Sequence, residues 1–314
     1  MKKETIIIGT RSSKLALWQA EYVKKQLENK YKELKVELKL MTTKGDKILD
    51  APLAKIGGKG LFTKELETAM LAGNIDIAVH SLKDMPTEIP AGLVISAITK
   101  RFDAGDAMVS NKYKNLTELP AGAKVGTSSL RRRAQLLHAR PDLRIEDLRG
   151  NVNTRLSKLD NGEYDAIILA VAGLKRLGFS GRITEVLPKK MVLPAVGQGA
   201  LAIETRAGDD RIQQLIAFLN DNETVKCAET ERAFLARVEG GCQVPVGVYA
   251  VIDSGALKAE AVIAAIDGKR LYRDEITGNP SQASELGIEL ADRLLARGGI
   301  DIMHELGLLA NVSQ

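Results

Sequence analysis

The chain has 314 residues, 45% of them hydrophobic and 27% charged, which is too long for one ordinary core and too even in composition for a disordered or low-complexity protein. No run approaches the roughly 20 apolar residues of a membrane span, and two cysteines with three scattered histidines form neither a disulfide framework nor a zinc spacing, so no metal is expected. The net charge is +5, and residues 127–158 hold seven arginines and one lysine against three acids, so the basic excess is focused there and points to an anionic partner.

Residues 6–10 predict a strand, Arg11-Ser12-Ser13 its exit loop, and 15–27 a helix with Leu15, Trp18, Tyr22 and Val23 on one stripe. Met1-Lys2-Lys3-Glu4 runs straight into Ile6-Ile7-Ile8 with no signal-peptide core, so a cytoplasmic protein is expected. A strand follows at 36–40. Gly57-Gly58-Lys59-Gly60 lacks the Gly-Lys-Ser/Thr ending of a nucleotide loop, which excludes a triphosphate site, and it precedes a helix with Phe62, Leu66, Ala69 and Met70 on one face. Residues 75–80 form a buried strand that ends in Ser81-Leu82-Lys83-Asp84-Met85-Pro86, and 93–99 form another.

After a crossover at 101–106 the grammar repeats. Residues 124–126 lead into Thr127-Ser128-Ser129 and a helix, 144–148 into Arg149-Gly150-Asn151 and a helix, and 166–170 into Gly173 and Arg176. Strands alternating with amphipathic helices signal parallel α/β structure. Their exits carry Arg or Lys beside Gly, Ser, Thr or Asn, where open α/β sheets bind ligands and helix N-termini meet anions. Residues 194–199 read as a return crossing and hinge, since Gly197-Gln198-Gly199 has no third glycine of a dinucleotide fingerprint, and 200–204 as one more strand. The last third changes character: runs at 246–252, 257–266 and 270–277 separated by turn residues predict an antiparallel meander, covered by helices at 281–297 and beyond 300.

Three features invite chemistry. Arg131-Arg132-Arg133 opens a helix, where cations oppose the dipole unless an anion compensates. Asp84 follows a strand and a lysine and precedes Met85-Pro86, so a constrained loop aims its carboxylate; it can handle protons or stabilise a developing positive charge. Cys242 lies in Gly240-Gly241-Cys242-Gln243-Val244-Pro245, where the glycines permit a sharp turn and Pro245 prevents a helix, so its thiol is expected on a loop. It follows a helix C-terminus, which does not favour a thiolate, and no histidine neighbours it; a tether fits better than a turning-over nucleophile. Nucleic acid is a weak candidate partner, because the basic residues are not interleaved with stacking aromatics.

Together these residues resemble the porphobilinogen deaminase family, and the likeness runs end to end. It rests on Glu231-Arg232 and 240–247 around Cys242, on Thr10-Arg11-Ser12-Ser13 with 15–20, on 55–61, on His80-Ser81-Leu82-Lys83-Asp84, on 126–132, on 148–151 with 154–156, and on 193–199. The resemblance implies two doubly wound α/β lobes like those of periplasmic binding proteins, residues 1–99 with 200–219 and residues 100–199. A smaller α+β domain with a three-stranded antiparallel sheet, 220–314, would carry the cofactor cysteine. It implies a monomer that joins four porphobilinogen molecules head to tail with loss of ammonia, onto a dipyrromethane attached through Cys242, and releases the tetrapyrrole by hydrolysis, with neither nucleic acid nor membrane as partner. By the same resemblance Asp84 is catalytic; Lys83, Ser81, Thr127, Ser129, Arg131, Arg132 and Gly150 bind cofactor; and Arg11, Ser13, Gln19, Lys55, Lys59, Arg149, Arg155 and Arg176 bind substrate. The lobes are expected to adjust at hinges near 100–106 and 192–199. Where the family often has Arg-Glu-Asp-Pro-Arg-Asp-Ala, this chain has Arg101-Phe102-Asp103-Ala104-Gly105-Asp106-Ala107, which should loosen the first hinge and remove a cation. The competing expectation is a two-lobed anion-binding protein without catalysis, which accounts for the arginines but not for Asp84 or Cys242.

Overall fold

The computed structural model describes residues 5–43, 63–238 and 244–308. The glycine-rich loop with Lys55 and Lys59, Phe62, and the Cys242 loop lie outside the described residues. The chain divides into two compact units, 1–102 with 200–224 and 103–199 with 225–314. Among the described residues no helix is long and apolar enough to cross a membrane.

The first unit is built on a five-stranded sheet of order β2-β1-β3-β10-β4, with β1 at Thr5–Arg11, β2 at Lys35–Met41, β3 at Ile77–Ser81, β4 at Leu93–Ile98 and β10 at Leu201–Arg206. Alternation along β1 sends Ile6 and Ile8 to one face, where they pack with Val79, Ala20, Val23 and Leu27. Those last three belong to helix α1, Lys14–Lys30, whose N-terminus Ser13 caps by accepting from the Ala16 N–H at 3.3 Å. The buried face of α1 is Ala16, Gln19, Ala20, Val23 and Leu27; of the expected Leu15, Trp18, Tyr22 and Val23, Val23 lies on it and the other three do not. Trp18 and Tyr22 are each 37% exposed and stack on one another at 5.5 Å. Helix α2, Lys64–Leu71, covers the other face with Leu66 and Met70.

The second unit repeats this plan in a sheet of order β7-β6-β8-β5-β9, comprising β5 at Asp106–Val109, β6 at Lys124–Gly126, β7 at Arg144–Glu146, β8 at Ala166–Ala170 and β9 at Glu185–Val186. Helices α3 (Leu130–Ala139), α4 (Val152–Asp160) and α5 (Val171–Arg176) follow β6, β7 and β8. The alternation predicts parallel sheets, but neither five-stranded sheet is wholly parallel. The strand that resumes after each crossing runs against its neighbours: β10 against β3 and β4, and β5 against β8 and β9. Both β5 and β9 lie where the sequence reading has only connection.

Residues 225–314 fall in the same unit as 103–199, where the sequence reading starts a third domain at 220, yet they own a sheet and a core. Strands β11 (Val246–Asp253), β12 (Ala256–Ala264) and β13 (Leu271–Gly278) form the expected meander, paired in register from Val246↔Ile263 to Leu257↔Gly278. Its buried face packs on Phe234 of α7 (Asn222–Arg237) and on Leu290 and Leu294 of α8 (Ala283–Leu294); α6 (Asp210–Ile216) and α9 (Ile300–Glu305) complete the helices among the described residues. The meander is stitched to the five-stranded part by polar bonds. His138 Nδ1 lies 2.8 Å from the Gly268 carbonyl, the Val248 N–H donates to the Pro194 carbonyl at 3.1 Å, and the buried Glu231 carboxylate accepts from the N–H groups of Gly197 and Ala250 at 2.7 and 2.9 Å.

Candidate active site

In the first unit the ends of β1 and β3 open onto a small, partly open pocket. Arg11 and Ser13 reach it from the exit of β1, Gln19 from α1, and His80, Ser81 and Asp84 from the exit of β3. Asp84 closes a single 3₁₀ turn, Leu82–Asp84, and is exposed, whereas Leu82 and Met85 on either side are buried. The Leu82 N–H donates to the Ala200 carbonyl at 3.0 Å and the Met85 N–H to the Leu82 carbonyl at 3.1 Å, so an anchored turn holds the carboxylate toward the pocket. Lys83, half-buried, shares that turn.

Buried Gln19 donates through Nε2 to Ser81 Oγ at 2.8 Å. Its task is therefore to orient Ser81; the serine accepts here, so its own O–H is left as a donor. Ser13 likewise accepts at the start of α1 and keeps a donor. Hydroxyl donors and a guanidinium beside one exposed carboxylate can hold an acidic ligand while offering an acceptor to N–H groups or a developing cation.

The exits of β6, β7 and β8 in the second unit carry the other expected residues. Thr127 is buried, its Oγ1 accepting from the Ser129 N–H at 3.2 Å, and Ser129 caps α3. Gly150 sits at φ +108°, where a Cβ would meet Thr154 at 2.7 Å, so glycine is required between β7 and the Asn151 cap of α4. The Arg155 Nε donates to the Gly150 carbonyl at 2.8 Å and Arg176 to the Gly199 carbonyl at 2.8 Å. Arg149, Arg155 and Arg176 are half-buried, with part of each side chain reaching solvent.

Arg131 and Arg132 correct the expectation that a ligand alone offsets their charge. They are 4% and 5% exposed, and the fully buried Asp106 compensates both. Arg131 donates to Asp106 Oδ2 at 2.7 Å and to the Leu193 carbonyl at 2.6 Å; Arg132 donates through Nε and a terminal nitrogen to Asp106 Oδ1 at 2.9 and 2.6 Å, and to the Ile168 carbonyl at 3.0 Å. Gln198 adds a bond to the same Oδ1 at 2.9 Å and others to the carbonyls of Ala104 and Gly105, so both crossing segments meet at one carboxylate. Burial alone would raise the Asp106 pKa, but the two guanidiniums outweigh it and hold this carboxyl well below the usual range. Each guanidinium has five N–H donors, so neither is used up by these bonds. In the sequence the one sign of Asp106 as the partner of this pair is an acid opening an apolar Ala107-Met108-Val109 run, and Gln198 has none.

A second cluster went unnoticed. His80 and Glu204, 124 positions apart, meet in the interior beside Glu67. Burial first, then the Glu204 charge, push the Glu67 carboxyl above its ordinary value against the influence of Thr63, His80 and Lys64. The buried Cys227 packs in the core around Phe234, as a structural cysteine does.

Comparison with known proteins adds to this geometry. Residues 6–214 match the family profile described as porphobilinogen deaminase, dipyromethane cofactor binding domain, and 225–296 match the porphobilinogen deaminase C-terminal domain. A curated porphobilinogen deaminase of Pelobacter propionicus is 54% identical over 306 residues, covering 98% of each chain. One from Chlorobium chlorochromatii is 51% identical over 310 residues, covering 98% of this chain and 99% of its own. Among solved structures, a methionine-bound nutrient binding protein from Burkholderia cenocepacia is 16% identical with a TM-score of 0.43, covering 68% of this chain and 90% of its own.

Proposed function

The chain belongs to the porphobilinogen deaminase family, and on that premise we propose that it is a hydroxymethylbilane synthase, a transferase that condenses four porphobilinogen molecules head to tail and then releases the linear tetrapyrrole by hydrolysis. The observation that carries the reading is the pocket at the ends of β1 and β3, where the exposed Asp84 carboxylate stands on an anchored turn beside Arg11, Ser13 and Ser81. A carboxylate lining the site would repel the ligand of a protein that only captured anions.

The residues present fit the dipyrromethane cofactor that the family carries. Its acidic substituents call for guanidinium, ammonium and hydroxyl donors, and its pyrrole N–H groups call for an acceptor. Lys83, Ser81, Ser129 and the spare donors of Arg131 and Arg132 are assigned to the former, with Thr127 and Gly150 shaping the loops, and Asp84 to the latter. We assign the covalent attachment to the thiol of Cys242. When bound, this group supplies the nucleophilic ring carbon from which the product grows.

Arg11, Ser13, Arg149, Arg155 and Arg176 are assigned to the carboxylates of substrate and lengthening product, with Lys55 and Lys59 beside them, and Gln19 acting through Ser81. A charge-assisted hydrogen bond contributes about 1.5–3 kcal/mol, so several are needed for a ligand that gains two carboxylates with each unit. Asp84 accepts from pyrrole N–H groups and stabilises the positive charge that develops on porphobilinogen as its amine departs. The reading extends to a monomer working in the cytoplasm. Incubation with porphobilinogen tests it: four ammonia molecules are expected for each tetrapyrrole released. Saturable binding of porphobilinogen with no ammonia would overturn it in favour of an anion-binding protein.

A further inference from the structure

In the meander β11 is an outer strand, so one of its long sides has no partner strand and its N–H groups there need acceptors from elsewhere. Two alternate residues find them. Val248 donates to the Pro194 carbonyl at 3.1 Å, and Ala250 donates to Glu231 Oε1 at 2.9 Å. The other oxygen of that carboxylate, Oε2, accepts from the Gly197 N–H at 2.7 Å. Glu231 is 0% exposed, so one buried side chain of α7 holds both the edge of β11 and the return crossing.

Two of these elements flank Cys242 in the sequence: α7 ends at Arg237 before it, and β11 begins at Val246 after it. Phe234 and Val238 on the near side, Val244 and Val246 on the far side and Val196 of the crossing share one core. Apolar burial of this kind is non-directional and tolerates small slides. A carboxylate with an N–H on each oxygen does not, because hydrogen bonds weaken steeply once the angle departs from linear. Glu231 is also a costly means of mere adhesion, since an apolar side chain would pack there without the desolvation of a charge. Gly197 sits at φ +70°, a conformation that favours glycine, so the crossing turns at the residue the carboxylate grips.

We propose that Glu231 is a positioning residue for the cofactor-bearing cysteine: it sets α7 and β11 in register with the return crossing, and so fixes where the Cys242 thiol is presented. The same bonds carry any shift of the crossing to both elements beside the tether. Glu231 acts through the backbone of its neighbours, and the chemistry stays with the groups already assigned to it.

The inference rests on reading Cys242 as the point of attachment, and the experiment separates the two. Glu231→Gln keeps the shape but turns one acceptor into an NH2 donor that faces an N–H group. Intact mass of the purified variant is expected to show the bare chain beside the loaded one. In the loaded fraction kcat is expected to fall about tenfold or more with KM nearly unchanged, because a small misplacement of a reacting group is enough to slow the step. Leu290→Ala supplies the comparison, since Leu290 is fully buried in the same core and its loss lowers stability without touching the carboxylate; it is expected to melt lower yet to be fully loaded. Full loading of a folded Glu231→Gln protein, or a loaded fraction with kcat within about threefold of wild type, overturns the proposal. So does Leu290→Ala with the same bare-chain fraction at an equal fall in melting temperature, because lost stability would then suffice. Should Glu231→Gln fail to fold, Glu231→Asp decides by the same two readouts, since it keeps the charge and loses one methylene of reach. A wild type without added mass removes the underlying reading and this proposal with it, whereas a loaded wild type beside an indifferent Glu231→Gln sinks this proposal alone.

Discussion

Asp84→Ala is expected to leave the protein folded and to lower turnover of porphobilinogen by about 10³-fold or more. The two halves of that expectation have separate causes. Asp84 is exposed, and the turn that carries it is held by buried Leu82 and Met85 and by backbone bonds that the substitution leaves intact; surface substitutions away from such anchors change stability by only about 0.5 kcal/mol. Turnover falls because a positive charge developing beside Asp84 loses a preorganised counter-charge. Asp84→Asn separates charge from shape, since it keeps the volume and one acceptor; if electrostatic stabilisation dominates, it loses nearly as much as alanine. Ammonia release measured beside a thermal melt checks both halves. Turnover within about tenfold of wild type in a folded variant would remove Asp84 from its role.

Asp106→Asn is expected to be the most damaging single change to stability. The substitution leaves two guanidiniums in the interior with no carboxylate between them, and breaking a buried ion pair by removing one partner costs about 3–5 kcal/mol. In a unit of this size that corresponds to a fall of roughly 10 °C in thermal midpoint. The pH dependence follows from the direction of its pKa. Asp106 is held below its unfolded value, so its stabilisation is fully present above about pH 4 and is lost as the pH falls below that toward the folded value. The wild-type melting temperature should therefore drop more steeply in acid than that of Asp106→Asn. Equal slopes, or a variant as stable as wild type at neutral pH, would show that the cluster is not held as described.

Which loops leave the strands was legible in the sequence; which distant residues those loops meet was not. Strand exits announce themselves locally: Arg11-Ser12-Ser13, Ser81-Leu82-Lys83-Asp84 and Arg149-Gly150-Asn151 each combine a strand end, a small or polar residue and a charge, and the structure places each at a strand end. What escaped was whatever depends on distant partners. Asp106 opens a strand of only four residues, too short to stand out as an apolar run, and its partners are 25 and 26 positions away. Strand direction is equally silent, because Leu201–Arg206 has the same composition whether it runs with β3 or against it. Of the stripe expected on α1, Val23 is buried but Leu15, Trp18 and Tyr22 are not, because they satisfy helical spacing as well as Ala16, Ala20 and Leu27 do; small alanines let α1 approach the sheet, and the larger aromatics stay at the surface. His80 and Glu204 were read as ends of buried strands, since nothing in either segment foretells the other.

Intact-mass measurement of the purified protein tests whether the chain works through a dipyrromethane held covalently at Cys242. The expected mass exceeds that of the chain by one dipyrromethane, with a ladder of single-pyrrole additions on brief exposure to porphobilinogen, and neither is expected in Cys242→Ser. A wild-type protein that turns over porphobilinogen while showing only the bare chain mass would contradict it.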